Sequence, residues 1–366
     1  RPGIARNTTQ NDGTLAQRDL KNVRGRTYVY DSGSGSVCGD GGFFGWRVKM
    51  DTNNKWKGEF FRTIGTKFNK CLEPTMSCTK EAIRAHSIQN SRVLDLIHKN
   101  GHVITPTLRY PIDGPKVGFV EIGRNKASTF TGFCEEHDSS IFKPLDTQEF
   151  NPQNPEQIFL LAYRSVTQEL HVVMQGAMKI QGSYLKRVED GLDPENEPSH
   201  AGVMATNHMI KSYNTWLYRH ENFDSHFKSK SWNTLSYDII ELNDQPPVLA
   251  ASALFSFTQK NVRDDLVRCA INVFPTSNSK SYVIFCYSTH DAKKARKSLR
   301  HIFQSKGRHQ RYLLSKLIID RIENFALCPD HFKSWSELKK SKVINAFSSN
   351  IENDKPIKDD HELMLF

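Results

Sequence analysis

The chain has 366 residues, 37% of them hydrophobic, and its 50 Lys and Arg exceed its 40 Asp and Glu to give a formal net charge of +10. That length supports a well-buried core and about two domains, and the composition excludes a wholly disordered chain. No apolar run approaches the roughly 18 residues of a membrane span, so a cytoplasmic protein without membrane contact is expected.

The positive balance favours polyanionic partners but is moderate for a chain of this size, and so permits nucleic acid as a partner without singling it out. Seven Cys, an odd number, argue against a disulfide framework and leave metal binding or burial as their uses.

Residues 1–35 are polar and poor in large apolar side chains, and read as a flexible arm that cannot offset the entropy of ordering by burial. Ser32–Gly45 is Gly- and Ser-rich but lacks the GK[ST] ending and the preceding strand of a phosphate-binding loop. Within 36–150, the first folded unit, Gly101–Leu108 and Lys116–Ile122 read as strands and Ser91–Lys99 as helix.

From Pro155 the apolar spacing becomes helical: Phe159, Tyr163, Val166, Leu170, Val173, Ala177, Ile180 and Tyr184 form one stripe that ends at the Pro-containing stretch Glu189–Pro198. A second helical region, about Val203–Lys228, completes a helical hairpin. Leu235–Leu242, Val248–Phe257, Cys269–Phe274 and Tyr282–Tyr287 read as an antiparallel meander. Helices return at Ala292–Gln304, His309–Phe325 and Ser334–Phe347. The expected fold is α+β: a zinc-stabilised N-terminal module over 36–150, then a helical and antiparallel α+β domain over 151–350, then a polar tail over 351–366.

Two Cys/His pairs carry the chemistry. Cys71 and Cys78 flank a six-residue loop containing Pro74, and Cys134 and His137 are a Cys-x-x-His step. Pairs of soft donors drawn from separate loops are the usual source of a four-ligand zinc site, and here the expected cofactor is structural Zn2+. The competing reading is buried thiols beside a surface His, although the Asn, Lys, Glu, Thr and Ser around Cys71 and Cys78 place them in no apolar stripe. A zinc held by four protein ligands cannot activate water, so catalysis requires a second centre.

The order Cys71, Cys78, His86, Asn125, Cys134, His137, Asp138 resembles the HNH, or His-Me finger, nucleases over about a fifth of the chain. That resemblance implies a strand, loop and helix clamped by zinc. It makes His86 the general base, Asn125 the residue that fixes the loop, and Asp138 the ligand of a catalytic Mg2+ or Mn2+. The sequence departs from the pattern in having Ala85 where Asp often precedes the His, a longer insert between His86 and Asn125, and Asp rather than His at the final position. Capping or orienting the segment that follows is the alternative role for His86. The stretches AIRAHSIQ and NKASTFTGFCEEHD also resemble bacterial proteins, some of them linked to antiphage defence.

Lys293, Arg296, Lys297 and Arg300 fall on one helical face, a candidate nucleic-acid-binding stripe whose ordinary alternative is a solvated helix surface. Cys269, Cys286 and Cys328 lie in apolar patterns and read as buried thiols. The expected function is a metal-dependent, HNH-like nucleic-acid endonuclease acting in bacterial antiphage defence. The alternatives are a non-enzymatic zinc module that binds nucleic acid or a protein partner, and a structural subunit of a defence complex.

Overall fold

A computed structural model describes residues 67–109, 116–242, 248–258, 266–278, 280–353 and 357–366. The expected arm over 1–35, the Gly-rich stretch and the first part of the 36–150 unit lie outside these residues.

In chain order, β1 (Ile83–His86) is followed by a π-helical turn (Asn90–Leu94) running into α1 (Asp95–Ile97), then β2 (His102–Arg109), β3 (Lys116–Gly123) and β4 (Thr129–Phe133). The short helices α2 (Glu135–Ile141) and α3 (Lys143–Thr147) lead into α4 (Pro155–Glu189). Helix α5 (His200–Arg219), a π-helical turn (His220–Asp224) and α6 (Ser225–Ser229) complete the helical hairpin. Four strands follow: β5 (Leu235–Leu242), β6 (Leu249–Thr258), β7 (Leu266–Pro275) and β8 (Ser281–Ser288). The chain closes with α7 (Ala292–Gln304), α8 (Gly307–Arg321), β9 (Phe325–Leu327), α9 (Pro329–Lys333) and α10 (Glu337–Asn353).

Local chemistry sets the long helices. Asn154 accepts hydrogen bonds from the N–H groups of Glu156 and Gln157 at the start of α4, with Pro155 at the first helical position. Ser199 caps α5 through Gly202 N. Beyond the end of α4, Gly191 takes φ +69°, a left-handed backbone that costs glycine nothing.

The architecture is α+β with three layers. A seven-stranded sheet of order β3-β2-β9-β6-β7-β8-β5 has antiparallel pairing throughout. Alternation along the strands separates two cores. Ala251, Phe255, Ile271, Val283 and Phe285 face α7, α8 and α10, whereas Ala250, Leu254, Ala270, Ile284 and Cys286 face α4 and the Cys/His unit. Both faces are covered, so β6, β7 and β8 are apolar on both sides.

Three expectations change. The four strands are no simple meander, because β5 pairs with β8, a Greek-key return. Strand β6 is buried on both faces and needs two neighbours, whereas half-exposed β5 tolerates an edge. The boundary at 150/151 also does not separate the chain: the β2–β3 hairpin of the first segment joins the sheet of the second through β9. The residues past 356 are anchored, since Leu363 and Leu365 are buried in the core and Leu365 N donates to Ser315 Oγ at 2.8 Å. Leu363 and Leu365, with Ile357 and Phe366 packed against the same cluster, dock that tail. Among the described residues no helix is long and apolar enough to cross a membrane.

Candidate metal centre and adjoining site

Strands β1 and β4 pair antiparallel, with Ile83 opposite Phe133 and His86 opposite Thr129, and α2 begins directly after β4. Cys134 is the N-cap of α2 and His137 sits in its first turn, so the helix delivers both to one place. The Cys71–Cys78 loop meets them from the other side. Leu72 N donates to Gly132 O at 2.7 Å and Cys134 N to Cys71 Sγ at 3.3 Å.

The four donor atoms of Cys71, Cys78, Cys134 and His137 lie within 4.8 Å of one another, the one such group among the described residues. Cys134 Sγ is 3.2 Å and Cys71 Sγ 3.5 Å from His137 Nδ1, and Cys78 Sγ is 3.9 Å from Cys134 Sγ. A tetrahedral metal with metal–sulfur bonds of about 2.3 Å sets sulfurs about 3.8 Å apart. Three sulfurs and one imidazole nitrogen thus form a metal-binding cluster that fits zinc, from the four residues whose spacing suggested it.

Burial pushes the Cys71 thiol up to about 12. Burial also opposes ionisation of Cys134, but the backbone N–H of His137 and the Cys71 and Cys78 side chains outweigh it and hold that thiol below its usual range. Thiolates are the ligating form, so loading the cluster releases protons.

Glu73, which the sequence did not single out, builds the loop between the first two ligands. Its carboxylate accepts from Thr75 N (2.7 Å), Ser77 N (2.7 Å), Cys78 N (3.1 Å) and Thr75 Oγ1 (2.6 Å). Burial works against that carboxylate, yet these hydrogen bonds hold it at about 2. Met76, in the left-handed region at φ 57°, turns the loop. From behind, fully buried Arg219 pairs with Asp224 at 3.2 Å and donates from Nη1 to Leu72 O at 2.7 Å.

The resemblance-derived residues lie beside this centre. His86 ends β1, half-buried, and its Nε2 donates to the carbonyl of Arg124 at 3.3 Å. Burial lowers its pKa, which keeps the imidazole neutral at pH 7. Asn125, exposed, accepts from Asn90 Nδ2 at 2.8 Å and so ties the two ends of the long insert.

Asp138 lies in α2 with Oδ1 buried and unpartnered. Burial raises its pKa, while the positive charge of Arg164 pulls it down. Arg164 and Asp146 act electrostatically on both His86 and Asp138. Neither was evident in the sequence, because Arg164 interrupts an otherwise apolar helical stretch without a recognisable motif.

The structure does not bring the basic stripe to this site. Lys293, Arg296, Lys297 and Arg300 are exposed on α7, which packs on the opposite face of the sheet. Arg296 Nε pairs with Asp238 at 2.9 Å, and Arg300 Nε donates to Gln304 at 2.9 Å. Cys269 and Cys286 are buried, as their apolar strands suggested, while Cys328 is half-buried. Compared with models of known protein families, with curated proteins and with solved structures, the chain matches none.

Proposed function

We propose that the β1–β4–α2 unit is the centre of a metal-dependent nucleic-acid endonuclease of HNH-like type, stabilised by structural zinc on Cys71, Cys78, Cys134 and His137. The observation that carries this reading is the position of His86. It ends the first strand of a strand-strand-helix unit and is oriented by the Arg124 carbonyl, with Asn125 fixing the adjoining turn. Its neutral imidazole takes the proton of an attacking water. Asp138, with an unpartnered buried oxygen, is the residue that would hold Mg2+ or Mn2+, an ion whose chemistry is to neutralise charge on the leaving oxygen. Cytoplasmic action in bacterial defence is the setting we propose for this activity.

A second reading, a zinc-stabilised module that binds nucleic acid or a protein partner without cutting, is favoured by Arg164. Its positive charge reaches both His86 and Asp138 and opposes a divalent cation there. Cleavage of single- and double-stranded DNA and RNA by the full chain, with Mg2+ or Mn2+ supplied, separates the two. Loss of general-base catalysis in His86→Ala should lower the rate about 100-fold or more with zinc content unchanged. Undiminished cleavage by that variant removes His86 from the mechanism, and a wild type that binds but never cleaves leaves the second reading.

A further inference from the structure

Between α4, the turn after β1 and strands β6 and β7 lies a cleft of about 430 Å³, within the range of small-molecule sites. Its apolar walls include Ile88, Leu161 and the edge-to-face pair Phe150 and Phe274, whose ring centres are 5.0 Å apart. Two polar side chains in its lining each keep one nitrogen without a partner. The Arg164 guanidinium, 4% exposed, lies over the Phe142 ring at 3.9 Å with Nε unpartnered. Asn272, 3% exposed, binds the Ser165 hydroxyl at one end of its amide (3.2 Å) and nothing at the other. One amide end stays open whichever way the group is turned.

Nε and Nη2 form one edge of the guanidinium, and such an edge matches the two oxygens of a carboxylate or phosphate. Nη2 reaches Asp146 Oδ1 at 3.5 Å, longer than the roughly 2.7–2.9 Å of a charge-assisted hydrogen bond. That same oxygen already accepts from Gln89 Nε2 at 3.0 Å. An incoming oxyanion therefore competes with a weak partner. The Arg164 guanidinium and the Asn272 amide both belong to the lining of this one cleft.

We propose that this cleft binds a small molecule bearing a carboxylate or phosphate monoester on a ring-containing apolar body. The anion sits on the Arg164 edge and the Asn272 amide, and the body lies against Leu161, Phe150 and Phe274. The site does not rest on the cleavage reading, because it uses neither His86 nor Asp138.

Calorimetric titration of the full chain with benzoate and with 5′-AMP tests it, each against its uncharged counterpart, benzamide and adenosine. One of the two anions should bind saturably and its counterpart at least tenfold more weakly, and which anion binds tells carboxylate from phosphate. Arg164→Gln should abolish binding. Because Arg164 is buried, Ser91→Trp at the exposed rim is the second variant: it should block binding while leaving circular dichroism and melting temperature unchanged. Silence with both anions, equal binding of a neutral counterpart, or wild-type binding by a folded Ser91→Trp protein would each overturn the assignment.

Discussion

Asn324 shows how much one side chain can hold. Its Nδ2 lies 2.8 Å from Ser87 Oγ, 2.9 Å from Gln168 Oε1 and 2.8 Å from Ser252 O, joining the segment after β1, helix α4 and strand β6 in a buried network. Asn324→Ala removes the two N–H donors that these three acceptors share, and urea denaturation should show a loss of about 3 kcal/mol. His171 makes a pH prediction. It is buried, with Nε2 3.0 Å from Phe68 O, and burial takes its pKa from 6.5 to about 4. The unfolded chain therefore binds a proton that the folded chain refuses between those values. The stability it supports is complete above pH 6.5 and falls as pH drops toward 4, by about 3 kcal/mol in all. Denaturation midpoints across that range should flatten in His171→Gln. Neither role is legible in the sequence, since Asn324 bonds residues 72 to 237 positions away. The four metal ligands were legible because each pair is local and polar surroundings deny its members a place in an apolar stripe.

At the scale of elements, legibility followed length and chain-local signals. Helix α4 was readable from its apolar period and from Pro155, and β5 from its alternation, bounds included. Strand β4 was missed because Thr129–Phe133 has five residues and a glycine, and its conformation is set by β1 and by the loop bound to it. Strand β9 was missed, its first residue, Phe325, being read as the end of the helix His309–Phe325, because three apolar residues carry no period of their own and only pairing with β6 and β2 decides. The glycine in β4 has a packing reason. A Cβ on Gly132 would stand 2.4 Å from the Phe130 ring, which is itself packed against Phe133 and His171. Gly132→Ala should lower stability by about 1–3 kcal/mol through displacement of that ring, and it should also weaken metal binding, since Gly132 O anchors Leu72. Chemical denaturation and a competitive chelator titration measure the two effects.

For the whole molecule, the Cys/His unit and the sheet share one core: Ala85, Phe130 and Phe133 belong to the same apolar cluster as Leu254, Ala270 and Ile284. Metal removal should therefore lower the melting temperature of a single cooperative transition and not uncover a separate early one. Calorimetry with and without chelator decides this, and elemental analysis should find one zinc per chain, lost in Cys134→Ala. Fragment 67–150, deprived of the strands that complete its core, should not fold alone. The domain boundary was illegible because a local composition shift at 150 says nothing about where a distant hairpin finds its neighbours.

The hydrogen bond from Arg219 to the Leu72 carbonyl has an optical consequence. Trp216, less than one turn away on α5, stacks on His220 with ring centres 5.2 Å apart and packs on the small cluster containing Leu72 and Met76. An indole so placed is a built-in gauge of occupancy at the cysteines: its emission should shift as metal is titrated in, and a Trp216→Phe protein should lose that component of the signal.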